Sequence, residues 1–194
     1  YYYDPEELIQ HAVSGIQGSD PFYGNASKLF VTPIVWANLI LKKFEKKMPT
    51  ITLYQIFEGL DRTVQETLMA ELNALPEAFA KEHDVALYAS LLKSNLAKPP
   101  DCYEKIITSL QSNLVPLISG NIGKIIGKAD SNKLIKRLEE GKRVICVVHT
   151  GTMISPSSAA VLGRILLSMI QSCVGRHYLS KKERLEPALA LHID

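Results

Sequence analysis

Cysteine is scarce in this 194-residue chain, and the three present are badly placed for cross-linking. Cys102, Cys146 and Cys173 are odd in number and scattered, and none lies in a CxxC or metal-like spacing, which excludes a disulfide framework and a zinc ribbon. Thiols in an apolar run (Cys146) and in a helical pattern (Cys173) are expected to pack as small hydrophobes, in a reducing, cytoplasmic setting. No run of 18 apolar residues occurs and no secretory leader opens the chain, so these residues are expected to be soluble. Net charge is also low, at +2, and argues by itself neither for nor against a nucleic-acid partner. Catalytic signatures are missing too: there is no GxSxG elbow, and His149, His177 and His192 match no metal-binding spacing. The serines of Ser155-Pro156-Ser157-Ser158 read as helix caps. The chain opens Tyr1-Tyr2-Tyr3 without an initiator Met, and we read it as a piece of a larger protein.

What is present is an ordinary globular composition, 46% apolar and 22% charged, enough to bury a core and to disfavour wholesale disorder. Helical signals dominate the first 140 residues. Asp4-Pro5 followed by Glu6-Glu7 starts a helix to about Ile16, with a cap, a proline at the first position and acids facing the dipole. Leu29, Phe30, Pro33, Ile34, Trp36, Ala37, Ile40, Leu41 and Phe44 recur at three- and four-residue steps, predicting a helix over 25–47 kinked near Pro33. A short apolar face (Leu53, Ile56, Phe57, Leu60) follows. Further helices are expected over 63–73, 76–97 and 101–118, the break at Lys98-Pro99-Pro100-Asp101 separating the last two. The aromatics Phe22, Tyr23, Phe30, Trp36 and Phe44 read as core rather than as a base-stacking platform.

The pattern changes after Ser119. Gly120, Gly123 and Gly127 suggest a flexible connector, and a short helix over 131–140 ends at Gly141 in the C-terminal cap position. Arg143-Val144-Ile145-Cys146-Val147-Val148-His149 has the β-branched composition of a buried parallel strand. A helix from Ser155 through Val174 and an apolar run, Leu189 to Ile193, complete a βαβ pattern. The expected fold class is therefore mainly α: an all-α bundle domain inserted beside a βαβ piece of a RecA-like α/β P-loop ATPase domain. The expected domains are 1–19, an N-terminal segment of the nucleotide-binding domain; 20–140, all-α; and 141–194, partial α/β.

Two candidate sites follow. Asp194 ends the last apolar run, where an α/β sheet collects ligands; in P-loop motors an aspartate so placed holds the magnesium that bridges the nucleotide phosphates, although strands also end in Asp because turns begin there. Its phosphate loop has no counterpart upstream. Gly120–Ala129 imitates one, but Ile122 stands where GxxxxGK[ST] needs glycine and Ala129 has no hydroxyl for magnesium. The second candidate is the basic zone holding Lys124, Lys128, Lys133, Lys136 and Arg137, continued by Lys142 and Arg143 against the acids Asp130, Glu139 and Glu140. It reads either as phosphate contacts without sequence specificity or as a solvated helix face.

Asp20-Pro21-Phe22-Tyr23-Gly24-Asn25-Ala26-Ser27-Lys28-Leu29-Phe30 resembles the entry to the helical domain of TraD/TraG-type conjugative coupling proteins. Gly141–Val147, Ala159-Ala160-Val161-Leu162-Gly163-Arg164-Ile165-Leu166, Val174–Tyr178 and Leu189–Asp194 are similar to the stretch that runs up to their Walker B strand. The resemblance implies a fragment of a hexameric, membrane-anchored motor that uses ATP and magnesium to deliver relaxase-bound DNA to a type IV secretion channel, at the cytoplasmic face of the bacterial inner membrane. It implies that the all-α domain contacts DNA or relaxosome protein, and that Asp194 is the Walker B residue. The catalytic glutamate and Walker A loop of that family are not among these residues, so the isolated chain is expected to hydrolyse no ATP. The alternatives are a helical adaptor that binds a protein partner without nucleotide chemistry, or a fragment of another DNA-translocating P-loop motor.

Overall fold

The computed structural model describes residues 5–13, 21–48, 50–120, 123–127, 133–147 and 156–179. Every regular element among them is helical. The chain divides into two compact units, Tyr3–Asp130 and Ser131–Asp194.

The first unit is built around one helix. α1 spans Pro5–Val13, α2 Pro21–Phe44, α3 Leu53–Glu58, α4 Arg62–Asn73, α5 Glu77–Glu82, α6 Val85–Leu96 and α7 Pro100–Ile118, with a π-helical turn at Gly123–Gly127. α2 packs against α1, α3, α4, α6 and α7. Phe30, Val31, Ile34, Val35 and Ala37 of α2 are fully buried, a stripe too wide for a surface helix and fitting for the hub of a bundle. Leu8, Leu53, Ile56, Leu72, Leu92, Ile106, Leu110 and Leu114 close the core around it, each contributing about 2 kcal/mol of burial.

Local chemistry explains most of the termini. α1 starts at Pro5 with Glu6 and Glu7 in its first turn. α3 is nucleated by a capping box missed in the sequence: the Thr52 hydroxyl accepts from the Gln55 N–H at 3.1 Å, and the Gln55 side-chain oxygen accepts from the Thr52 N–H at 3.1 Å. α2 continues as one helix through Pro33. Pro33 leaves the Leu29 carbonyl without its helical donor, while the Phe30 carbonyl beside it takes a bond from Asn95 Nδ2 at 3.4 Å, joining α6 to α2. The expected single helix over 76–97 is two, because Asp84 between them is left-handed at φ 50°. No Gly or Pro marks that break.

The expected connector over Gly120–Gly127 is a packed feature instead. A side chain at Gly123 would fall on the backbone of Ile118, and one at Gly127 would lie 2.7 Å from the Ile118 Cα. Glycine is needed there because the π turn lies against the end of α7.

In the second unit, α8 spans Lys133–Glu139 and α9 Pro156–Leu179, and the two pack together. Ala159, Ile165, Met169 and Cys173 form the buried stripe of α9, with Leu138 buried on α8. Gly141 caps α8 as expected, at φ 69°, its N–H bonded to the Leu138 carbonyl at 3.0 Å and that of Lys142 to the Arg137 carbonyl at 2.9 Å. α9 runs five residues beyond the expected Val174.

The described residues include no strand. Lys142–Val147 is irregular and, apart from half-buried Val144, exposed, with Ile145 95% and Val147 73% accessible and Cys146 in solvent. This corrects the expectation of a buried strand and a packed Cys146 thiol. A β-branched run becomes a strand only through a ladder, and no other described segment pairs with it. The partner expected of it, Leu189–Ile193, lies outside the described residues.

Candidate functional site

Of the five basic candidates, three share a face. Lys133, Lys136 and Arg137 of α8 stand at i, i+3 and i+4, which places them side by side, and all three are exposed. Arg143, also exposed, follows the Gly141 turn. One nearby acid is already engaged: Glu140 lies 2.7 Å from Lys142 Nζ, and hydrogen bonding from Lys142, with the charges of Lys136 and Arg137, holds its carboxyl below the usual range. α8 therefore presents three exposed cations side by side. Lys124 is exposed on the π turn of the first unit, apart in the chain from this face, and Lys128 lies outside the described residues.

Asp194 also lies outside the described residues. The phosphate-loop imitation between Gly120 and Ala129 contains, where described, a π turn packed on α7. A phosphate loop instead follows a strand and opens an α-helix. These residues do not fit a nucleotide. Among the described residues no group of three or more His, Cys, Asp or Glu could hold a metal ion, and no helix is long and apolar enough to cross a membrane.

Polar side chains buried in the bundle serve its architecture. Gln65 Nε2 donates to the Tyr103 hydroxyl at 3.1 Å, which donates to the Leu60 carbonyl at 3.0 Å. Phe30 meets the Tyr103 ring edge-on at 5.2 Å and the Arg62 guanidinium lies 4.7 Å from its centroid. Burial, only partly offset by Arg62, pushes the Tyr103 hydroxyl up. His11, 3% exposed on α1, is held at about 4 by burial and is neutral, with Glu7 4.0 Å away. Asn113 Nδ2 bonds the Ala12 carbonyl at 2.8 Å and pins α1 to α7.

A feature the sequence reading passed over stands where α2 ends. Phe44, expected in the core, is 44% exposed; it meets Phe79 edge-on at 5.2 Å, and Phe79 meets His83 at 4.3 Å. Lys43 and Lys46 are exposed beside it. The signal in the sequence was the density of lysine around Phe44, at positions 42, 43, 46 and 47.

Comparison with protein-family models, with curated proteins and with solved structures finds no match.

Proposed function

We propose that this chain is a piece of a TraD/TraG-type conjugative coupling ATPase, its helical bundle recruiting relaxosome protein or DNA for delivery to a type IV secretion channel. The observation that carries the reading is where the two family-like strings fall. The one around Pro21–Phe30 lies on the 24-residue helix of the first unit, and the one around Ala159–Leu166 on the 24-residue helix of the second. That order suits a helical insertion followed by a part of a motor domain. In this reading Val144–Val148 and Leu189–Ile193 become neighbouring parallel strands within the parent's RecA-like sheet, and Asp194 holds the magnesium of its ATP. ATP binding itself belongs to parts of the parent absent from this sequence.

DNA would be met through the α8 face, by phosphate contact alone. Three cations predict a salt dependence of about −2 to −3 in log K against log salt. Electrophoretic retention of a labelled single strand by the chain, measured from low to high salt, tests this. Lys133→Glu, Lys136→Glu and Arg137→Glu together should abolish retention, and an affinity indifferent to salt would sink the mechanism. The adaptor reading is favoured by the exposed Phe44 and by Met48, which is 66% accessible; loss of a protein partner, with DNA retention unchanged, on reversing the α8 charges would support it.

A further inference from the structure

We propose that the knuckle where α2 ends against α5 is a docking site for an acidic peptide segment carrying one apolar anchor residue. Three observations meet there. The first is the partly exposed ladder Phe44–Phe79–His83, with Met48 66% exposed after it. Such apolar surface is unexplained by the bundle's own packing and suits an inserted side chain.

The second is charge. Lys42 is committed: its ammonium bonds the Thr50 carbonyl and lies 3.3 Å from Gln55 Oε1. Lys47 pairs with Glu45 at 2.7 Å. Lys43 and Lys46 have no ion-pair partner among the described residues, and both are exposed. Across the ladder, Glu77 is engaged by Lys81 at 2.7 Å, Glu82 lies 3.8 Å from His83, and Asp84 beside His83 is exposed. The open positive charge is thus confined to the α2 side, and a ligand's carboxylates are drawn to that side of its anchor.

The third is strain. Only two described residues other than glycine have a left-handed backbone, Lys46 at φ 57° and Asp84 at φ 50°. They flank this ladder, two residues after Phe44 and one after His83. Lys46 occupies a helix-ending turn in which its N–H bonds the Lys43 carbonyl at 3.1 Å and that of Lys47 the Lys42 carbonyl at 2.9 Å. That turn prefers glycine, so a lysine kept there at a conformational cost points to use of its ammonium.

The ring geometry favours a peptide over a nucleic acid. Phe44 and Phe79 are inclined at 63°, Phe79 and His83 at 69°. They offer ring edges, not the parallel platform on which successive bases stack. The proposal stands or falls apart from the coupling-protein reading, which places its DNA contacts on α8.

The test is to pan a random dodecapeptide library on the full chain and to measure the selected peptides by fluorescence anisotropy, with labelled oligo(dT) as a competing probe. Selected peptides should share acidic residues beside one Phe, Leu or Met. Phe44→Ala should weaken them about tenfold or more, as loss of an anchor contact does. Lys43→Glu with Lys46→Glu should do the same. Lys46→Gly separates binding from folding: it should raise the melting temperature while weakening the peptides about two- to fivefold, the share of one exposed ion pair. Selection of peptides without acids, binding indifferent to these substitutions, failure to select any, or tighter binding of oligo(dT) through the same residues would each overturn the proposal.

Discussion

Single side chains decide how this bundle responds to its surroundings. His11 is neutral in the folded chain because burial lowers it to about 4, whereas in the unfolded chain it titrates near 6.5. Between those values the unfolded chain takes up a proton that the native one refuses. Its contribution is therefore fully present above pH 6.5 and lost as pH falls towards 4, by up to about 3 kcal/mol. Urea midpoints across that window should decline with acidity, and His11→Phe should flatten the decline. Tyr103→Phe removes the link between Gln65 and the Leu60 carbonyl and should cost about 2–3 kcal/mol by stranding buried polar groups. Equilibrium unfolding measures it; a loss below half a kcal/mol would mean water takes the place of the hydroxyl.

Among the helices, glycine has two opposite meanings, which sequence composition does not separate. In α9, Gly163 and Gly175 would carry a Cβ into open space, so Gly163→Ala and Gly175→Ala should each stabilise the helix by about 1 kcal/mol, read as a rise in melting temperature. At Gly59 the same change would drive a methyl into Ile34 Cγ2, a fully buried side chain, and should destabilise. Helix ends were legible at the prolines before α7 and at Gly141 after α8, whereas the Thr52–Gln55 capping box and the Asp61 cap, though equally local, went unread. The break at Asp84 was not legible, since a left-handed aspartate has no composition of its own. Gly123 and Gly127 read as loop residues because close approach to α7 is a tertiary fact.

At the scale of the whole chain, the helical bundle was legible because its apolar periodicity is strong and continuous, from Leu29 through Leu114. The irregular conformation of Val144–Val147, where a strand was expected, was not, because a ladder is set by partners distant in sequence. The basic candidates were legible as residues, yet among those described only Lys133, Lys136 and Arg137 come together on one element, since helical spacing guarantees adjacency within an element and nothing guarantees it beyond. No GxxxxGK[ST] motif occurs in the sequence, so phosphate release from ATP should stay at background with or without DNA; sustained turnover would require a nucleotide site that this motif does not supply.

The bare run from Val144 to Val147 carries a practical consequence for anyone handling this polypeptide. With Ile145 and Val147 in water and no charge between Arg143 and His149, it has the composition of segments that zip copies together edge to edge. Concentrated stocks should cloud on storage, and Ile145→Lys should delay the onset of turbidity without moving the melting temperature, since the side chain it replaces packs against almost nothing.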